Sequence, residues 1–155
     1  MSVDGETGRR VALVPLVPGN ACGVLVVSTV PLSFWGGFDA VSGRVTDVRH
    51  DLYGQSLTGK VLVIPASRGS SSSSGVLLES IRLGTCPAAI ISQVAEPILA
   101  IASIIAREIY GRWVPVATLS AAEAAFLESG QMVCVRITAN AGEMLLDKQQ
   151  RRRDT

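Results

Sequence analysis

The sequence predicts one layered α/β domain, either a mixed sheet or a small barrel with helices packed against it. Two observations support this fold class. The first half of the chain consists of β-type runs, the centre alternates strand, helix, strand, helix and strand, and the end returns to β-type residues. The length of 155 residues suits a single domain with a real core. We expect this domain at residues 10–147, between a flexible N-terminus at 1–9 and a basic tail at 148–155.

Short strands separated by turns are expected in the first half of the chain. The predicted elements are, in order, strand 10–17, a turn at 18–20, strand 22–30, a break at 31–39, strand 44–49 and a loop at 50–56. In the break, the paired residues Gly36 and Gly37 let the backbone pass close to a neighbouring group. The loop holds the only histidine, His50, which is expected to be structural or solvated although a functional role stays open.

Strands and helices alternate from residue 60 onward. The predicted elements are strand 60–64, helix 75–83, strand 88–91, a helix from Pro97 to Tyr110 before Gly111, strand 114–117, a helix from Ser120 to near Gly130, and a hairpin of strands 132–137 and 143–146. Pro at the first helical position and Gly just past the last one are typical helix boundaries. Ser120 and Glu123 form a capping-box pattern.

A run of five serines, residues 70–74, lies between the predicted strand 60–64 and the predicted helix 75–83. The N-terminus of a helix has unpaired N–H groups and a partial positive charge, which suit an anion. Arg68, two residues before the run, adds a fixed cation. A flexible linker is the alternative interpretation, but a linker should not separate a buried strand from a buried helix so closely. The segment therefore predicts a binding or catalytic site.

The order of the serines indicates different roles for them. A cap lies directly before the first helical residue, so Ser73 or Ser74 is expected to cap a helix that begins near Gly75. Ser70, next to the flexible Gly69, is the serine best placed to point into a cleft.

Composition argues against several classes of function. Hydrophobic residues make up 48% of the chain and charged residues 17%, which indicates apolar surface for a partner. No apolar run reaches the ~18 residues of a membrane span, and the first residues lack the apolar core of a signal peptide, so we expect a cytoplasmic protein. The net charge is +1 and aromatics are 5%, without a basic stripe, so nucleic-acid binding is poorly supported.

The three cysteines, Cys22, Cys86 and Cys134, are far apart and include no C-x-x-C pair. Because each has apolar neighbours in the sequence, they are predicted to be buried free thiols. The chain alone is therefore not expected to hold a metal or an iron–sulfur cluster.

Three separated motifs occur in order: Pro31-Leu32-Ser33-Phe34-Trp35-Gly36-Gly37, Gly54-Gln55-Ser56, and Arg68-Gly69 with the serine run. Together they resemble the small subunit of aconitase X, from about residue 11 to residue 146. The resemblance implies a swivelling β/β/α domain of the aconitase superfamily that closes over a large subunit. It implies that this large subunit holds the iron–sulfur cluster and most substrate contacts. It also implies a hydro-lyase, active only as a complex, that dehydrates cis-3-hydroxy-L-proline or phosphomevalonate.

The resemblance also implies site residues. A serine of the small domain is taken to be the proton-abstracting base in this family, and Ser70 lies at the matching position. The expected substrate-binding residues are Arg68, Gly69, Ser71, Ser72, Gly36 and Gly37. Ordinary aconitase places its arginine after the serines, whereas Arg68 precedes them, so the carboxylate-binding role of that arginine is not transferred to it. The poly-Ser loop favours hydroxyproline over phosphomevalonate as the substrate.

Two further questions stay open from the sequence: whether the chain only binds an anion, and where its aromatic residues lie. A stand-alone module that binds a phosphate or carboxylate without chemistry would also use the serine loop. Separately, Phe34, Trp35 and Phe38 are expected near the edge of a docking face for the large subunit, with an internal aromatic cluster as the equally supported alternative.

Overall fold

The computed structural model describes residues 8–68 and 72–147 of the chain. Its elements are β1 (Arg10–Val17), β2 (Gly19–Val27), α1 (Phe34–Gly37), β3 (Phe38–Asp39), β4 (Arg44–Val45), β5 (Val61–Ile64), α2 (Ser72–Leu83), β6 (Ala89–Ser92), α3 (Pro97–Tyr110), β7 (Val116–Thr118), α4 (Ala121–Ala124), β8 (Met132–Ile137) and β9 (Gly142–Leu146). Seven of the described strands close into a barrel in the order β1-β7-β6-β5-β2-β8-β9, and β3 pairs with β4 outside it. The α/β class is confirmed, and of the two predicted sheet forms the barrel is the one observed.

Four neighbouring strands of the barrel are parallel: β2 pairs with β5, β5 with β6, and β6 with β7. Strands β1, β8 and β9 are antiparallel to their neighbours. Parallel neighbours need crossover connections, and α2 and α3 provide them on the way from β5 to β6 and from β6 to β7. The carboxyl ends of the four parallel strands therefore meet at one rim of the barrel, which we call the carboxyl edge.

Strand β5 shows how the sequence builds two layers of core. Its four residues are all buried, but Val61 and Val63 pack inside the barrel, whereas Leu62 and Ile64 pack in the layer that also contains Leu77 of α2. Successive side chains of a strand point to opposite faces, so a strand between a barrel interior and a helical layer needs apolar residues at every position. The uninterrupted run Val-Leu-Val-Ile meets that requirement.

The predicted ends of α3 are confirmed. Pro97 is the first helical residue, and Gly111 adopts the left-handed conformation, with φ of 67°, and donates its N–H to the Arg107 carbonyl at 3.0 Å. The capping box before α4 is only half formed: Ser120 Oγ accepts the Glu123 N–H, whereas the Glu123 carboxylate contacts Arg9. Nowhere in the described residues is a helix both long and apolar enough to cross a membrane.

Several predicted boundaries are wrong. The helix predicted from Ser120 to near Gly130 covers only Ala121–Ala124, because the chain then continues in tight turns such as the one in which the Leu127 N–H donates to the Ala124 carbonyl at 3.1 Å. The strand predicted at 22–30 is Gly19–Val27. Helix α2 begins at Ser72, not near Gly75, so Ser73 and Ser74 lie inside its first turn and neither is its cap. Ser73 is buried on the same face as Leu77 and Ile81, four and eight residues later, which is the face that packs on the barrel. The strand predicted at 44–49 covers only Arg44–Val45, since Asp47 then turns the chain by accepting the Arg49 N–H.

The prediction of three buried free thiols is also wrong. Cys22 and Cys134 lie directly opposite each other on β2 and β8 and form a disulfide, with their Cα atoms 4.0 Å apart. The apolar neighbours Val133 and Val135 point into the barrel, so the cysteine between them points outward. Cys86 is a free cysteine, as predicted, and burial raises the pKa of its thiol.

Candidate functional site

The carboxyl edge carries the loop that was predicted to form the site. The chain leaves β5 after Ile64 and runs through Arg68 toward the start of α2 at Ser72. The loops that follow β2 and β6 begin at the same edge. Ligands of parallel sheets bind outside the carboxyl ends of the strands, because the connecting loops diverge there and leave a crevice. This edge is therefore the candidate site.

The segment that follows β5 pairs with the segment that follows β2. Leu32 and Ser67 form a parallel bridge, in which the Leu32 N–H donates to the Ala66 carbonyl at 3.1 Å and the Arg68 N–H donates to the Leu32 carbonyl at 2.9 Å. The first and third sequence motifs are thus brought side by side. Arg68 is exposed, and its guanidinium forms no ion pair with any residue that the structure describes.

Three predicted site residues, Gly69, Ser70 and Ser71, lie outside the described residues. The next predicted site residue, Ser72, is exposed and is the first residue of α2, a helix of 12 residues. The N-terminal N–H groups and the positive end of the helix dipole therefore lie at the candidate site. Ser73 is only 3% exposed, and its hydroxyl has no hydrogen-bond partner within the described part of the chain.

The predicted site residues Gly36 and Gly37 lie in the short element α1, which packs against α2. Gly36 has a φ of 80°, and a Cβ atom built on it would meet no atom within 4 Å, so its backbone faces open space. Gly37 is buried, and its carbonyl accepts the Thr46 N–H at 3.0 Å. Of the two glycines, Gly36 is the one that a ligand or a partner can approach.

The aromatic residues around these glycines do not form a common docking face. Phe34 is 0% exposed and Phe38 4% exposed, and their rings pack edge to face with centroids 5.4 Å apart. The prediction of a docking role for these two residues is wrong, since the internal cluster forms instead. Trp35, which lies between them in the sequence, is 61% exposed and keeps its side chain on the surface.

A network of Ser28, His50 and Asp51 at the end of β2 was not predicted. The Asp51 carboxylate accepts hydrogen bonds from Ser28 Oγ at 2.7 Å and from the Thr29 N–H at 3.0 Å. His50 is 7% exposed, its Nδ1 accepts the Leu52 N–H at 3.0 Å, and its Nε2 lies 3.4 Å from Ser28 Oγ. The His50 Nδ1 atom also lies 3.1 Å from Asp51 Oδ1. Because Ser28 is buried and its hydroxyl donates to Asp51, not to His50, this is a structural network and not a nucleophilic triad.

The electrostatics of Asp51 follow from these contacts. Partial burial alone would raise the pKa of the carboxyl group. The hydrogen bonds from the Thr29 N–H and from Ser28, together with the neighbouring His50, outweigh burial and hold the pKa of Asp51 below its ordinary value. The charged form of Asp51 is thus the form that fits the folded structure.

Glu96 also lies at the carboxyl edge and was not predicted to be part of the site. It is 9% exposed, and its carboxylate accepts both the Ser67 N–H at 2.7 Å and the Ser67 hydroxyl at 2.6 Å. In the sequence, the pair Glu96-Pro97 predicted only the start of a helix. A usable signal existed, because Glu is an uncommon residue at an N-cap position, where Ser, Thr, Asp or Asn is preferred.

Metal ligands are scarce among the residues that the structure describes. No group of three or more His, Cys, Asp or Glu side chains in residues 8–68 and 72–147 could hold a metal ion. Two of the three cysteines are joined to each other, which leaves Cys86 as a single thiol. The described side chains therefore do not fit an iron–sulfur cluster, which needs several thiolates.

Known proteins of similar sequence and structure identify the fold. The chain is 47% identical over 104 residues to cis-3-hydroxy-L-proline dehydratase of Pseudomonas aeruginosa, a match that covers 67% of this chain and 18% of that protein. It is 49% identical over 88 residues to the phosphomevalonate dehydratase small subunit of Methanothermobacter thermautotrophicus, covering 57% of this chain and 67% of that one. This chain thus spans less than a fifth of the length of the Pseudomonas relative.

A crystal structure of Thermococcus kodakaraensis aconitase X in its holo form superposes with a TM-score of 0.78 at 34% identity, covering 90% of this chain and 98% of that chain. The family described as the aconitase X swivel domain matches residues 10–146. Both findings confirm the resemblance drawn from the three sequence motifs. The chain belongs to the aconitase X swivel-domain family.

Proposed function

We propose that this chain is the small subunit of a hydro-lyase that dehydrates cis-3-hydroxy-L-proline in a complex with a large subunit. The observation that carries the proposal is that Arg68 follows β5 and the serine run ends within the first turn of α2, in a chain of this family. The relative from Pseudomonas aeruginosa named for this reaction supports the choice of substrate.

Dehydration of a hydroxy acid needs three kinds of group. A base removes the proton beside the carboxylate, an acid or Lewis acid assists the departing hydroxyl, and donors stabilise the charge that develops. This chain contributes candidates for the first and third. We assign the iron–sulfur cluster and the groups that assist the hydroxyl to the large subunit, because the described residues here provide no suitable ligand set.

Ser70 is the proposed base. A serine accepts a proton only if its alkoxide form is stabilised, and the N-terminal N–H groups of α2 and the Arg68 cation are the proposed stabilising groups. Gly69 and Ser71 are proposed to contact the substrate from the same loop, and Ser72 from the start of α2. The turn at Gly36 and Gly37 is proposed to contact it from the neighbouring segment, which pairs with the stem of the loop at Leu32.

The test is a comparison of single serine variants in the complex reconstituted from this chain and its large subunit. Ser70→Ala should lower kcat by about a hundredfold or more and leave the melting temperature nearly unchanged. Ser74→Ala, a change of the same residue type inside α2, is the control and should keep most of the turnover. Near-normal turnover by Ser70→Ala would overturn the assignment of the base, even if the complex is active.

Phosphomevalonate is the second candidate substrate. The specific observation in its favour is the 49% identity to a protein named phosphomevalonate dehydratase small subunit. Supplying each compound to the reconstituted complex and following loss of water by mass spectrometry decides between them. Turnover by this chain alone would contradict the proposed division between two subunits. Tight binding of either compound by a complex that never turns over would favour an anion-binding module.

A further inference from the structure

A single carboxylate, that of Glu96, holds Ser67 in the segment that connects β5 to the serine run. The backbone N–H of Ser67 donates to Glu96 Oε1 at 2.7 Å, and its hydroxyl donates to Glu96 Oε2 at 2.6 Å. Both donors of this residue are thus satisfied by one side chain from a different loop. Hydrogen bonds to a charged acceptor are stronger and better oriented than bonds between neutral groups.

The position of Glu96 follows from the hydrogen-bond pattern of parallel strands. The Arg68 N–H and the Ala66 carbonyl both point toward Leu32, so the Ser67 N–H between them points to the opposite side, toward β6. Strand β6 ends at Ser92, and Gln93 makes the last backbone contact there by donating its N–H to the Ile64 and Pro65 carbonyls. Beyond that point the Glu96 carboxylate takes the place that a strand carbonyl would occupy.

Glu96 is buried and held in this place by its own helix. Pro97 begins α3 directly after it, so the carboxylate lies at the positive end of a helix of 14 residues. At this N-cap position the side chain makes no cap hydrogen bond within α3. No Lys, Arg or His side chain in the described parts of the chain forms an ion pair with it. The Glu96 carboxylate therefore holds the stem of the loop through its two hydrogen bonds to Ser67.

We propose that Glu96 is a positioning residue, which fixes Ser67 at the stem of the serine loop and thereby the direction in which Arg68 leaves the barrel. This inference rests on the proposed function, because it gives the loop a catalytic task. Glu96 acts through Ser67 and touches no reacting group. Small displacements matter at such a stem, since a misplacement of about 1 Å can lower a rate by about a hundredfold.

The kinetic test compares three variants in the reconstituted complex. Glu96→Ala should lower kcat by about tenfold to a hundredfold with a smaller change in KM, because the loop is displaced while its side chains remain. Glu96→Gln should restore most of the turnover, since the amide still accepts the Ser67 N–H and can donate to the hydroxyl oxygen. Ser103→Ala is the matched control, because Ser103 is also buried in α3 and holds Val114 through two hydrogen bonds remote from the loop. It should lower the melting temperature and leave kcat unchanged.

Hydrogen exchange of the Ser67 amide in the full chain gives a second readout that does not depend on activity. The amide should be protected in the unsubstituted chain and in Ser103→Ala, and should exchange faster in Glu96→Ala. Equal protection with and without Glu96, or full turnover by Glu96→Ala, would overturn the inference. If Glu96→Ala does not fold, Ser67→Ala replaces it, with a smaller fall in kcat expected and an unchanged kcat contradicting the role. An unsubstituted complex that dehydrates neither substrate contradicts the proposed function instead, while hydrogen exchange still tests the contact.

Discussion

Replacing Asp51 should loosen the end of β2 and change how stability depends on pH. The carboxylate accepts three hydrogen bonds, from Ser28 Oγ at 2.7 Å, from the Thr29 N–H at 3.0 Å and from the Thr29 hydroxyl at 3.2 Å. These bonds join the residues after β2 to the loop that contains His50. Asp51→Ala removes all three, whereas Asp51→Asn keeps one oxygen that can accept the Thr29 N–H.

The expected loss of stability can be worked out from these contacts. A hydrogen bond to a charged group contributes about 1.5–3 kcal/mol when it is buried. The Asp51 side chain is 36% exposed, so water screens and partly replaces its bonds, and we use about 1 kcal/mol for each. Asp51→Ala should therefore lower the free energy of unfolding by about 3 kcal/mol, and Asp51→Asn by about 1–2 kcal/mol.

The pH dependence follows from the lowered pKa of Asp51. Because the folded-state pKa lies below the ordinary value of 3.8, the stabilisation is fully present above that value and is lost as the pH falls through the folded-state pKa. The difference in unfolding free energy between the unsubstituted chain and Asp51→Asn should thus be fully developed at pH 5 and smaller at pH 3. Urea unfolding followed by fluorescence of the two tryptophans measures it.

Asp47→Asn is the control for this experiment, since Asp47 lies in the same loop and accepts the Arg49 N–H. It should cost less than Asp51→Asn. Two results would refute the reasoning: an Asp51→Asn chain as stable as the unsubstituted one at pH 7, or a difference between them that persists undiminished at pH 3.

Two more predictions concern the fold. Phe34→Ala should lower the free energy of unfolding by about 3–5 kcal/mol, because it leaves a cavity at a fully buried site. Trp35→Ala, at the exposed neighbouring residue, should change the free energy of unfolding by less than about 0.5 kcal/mol. Similar losses for the two variants in urea unfolding would contradict the buried and exposed positions of these side chains. Reducing the disulfide, which spans 112 residues, should lower the free energy of unfolding by about 2–5 kcal/mol. The stability of Cys134→Ser should not respond to reductant, whereas that of Cys86→Ser should still fall. Equal urea midpoints of the unsubstituted chain with and without reductant would contradict the disulfide.

Local signals made much of the fold predictable. The apolar run of β5 and the Pro97 and Gly111 boundaries of α3 act within a few residues, so they can be read without knowing what packs around them. The disulfide could not be read in that way. Whether Cys22 meets Cys134 depends on the register between two strands far apart in the chain, and a shift of one residue would place the side chains on opposite faces.

The candidate site likewise has one part that local sequence patterns predict and another that they do not. The serine segment was recognisable because a strand, a polar loop and a helix follow one another directly. The contact between Glu96 and Ser67 joins loops 29 positions apart, and that between Ser28 and Asp51 joins residues 23 positions apart. The first contact needs the parallel order of β5 and β6 to be known, and the second needs the path of the loop that follows β4. The burial of Phe34 likewise depends on α2 packing over the turn, which the composition of the turn does not reveal.

The pairing of β1 with β9 bears on whether this domain can be encoded as a separate chain or as part of a longer one. Arg10 lies opposite Leu145, and the Leu146 N–H donates to the Arg9 carbonyl at 2.9 Å, so the chain enters and leaves the barrel at one point. A domain whose first and last strands are neighbours can be inserted into a longer polypeptide, or encoded as a separate chain, without disrupting a strand pair. The match to 18% of the Pseudomonas protein and to 67% of a protein named a small subunit is consistent with both arrangements. Gene fusion and gene fission are thus geometrically easy for this fold.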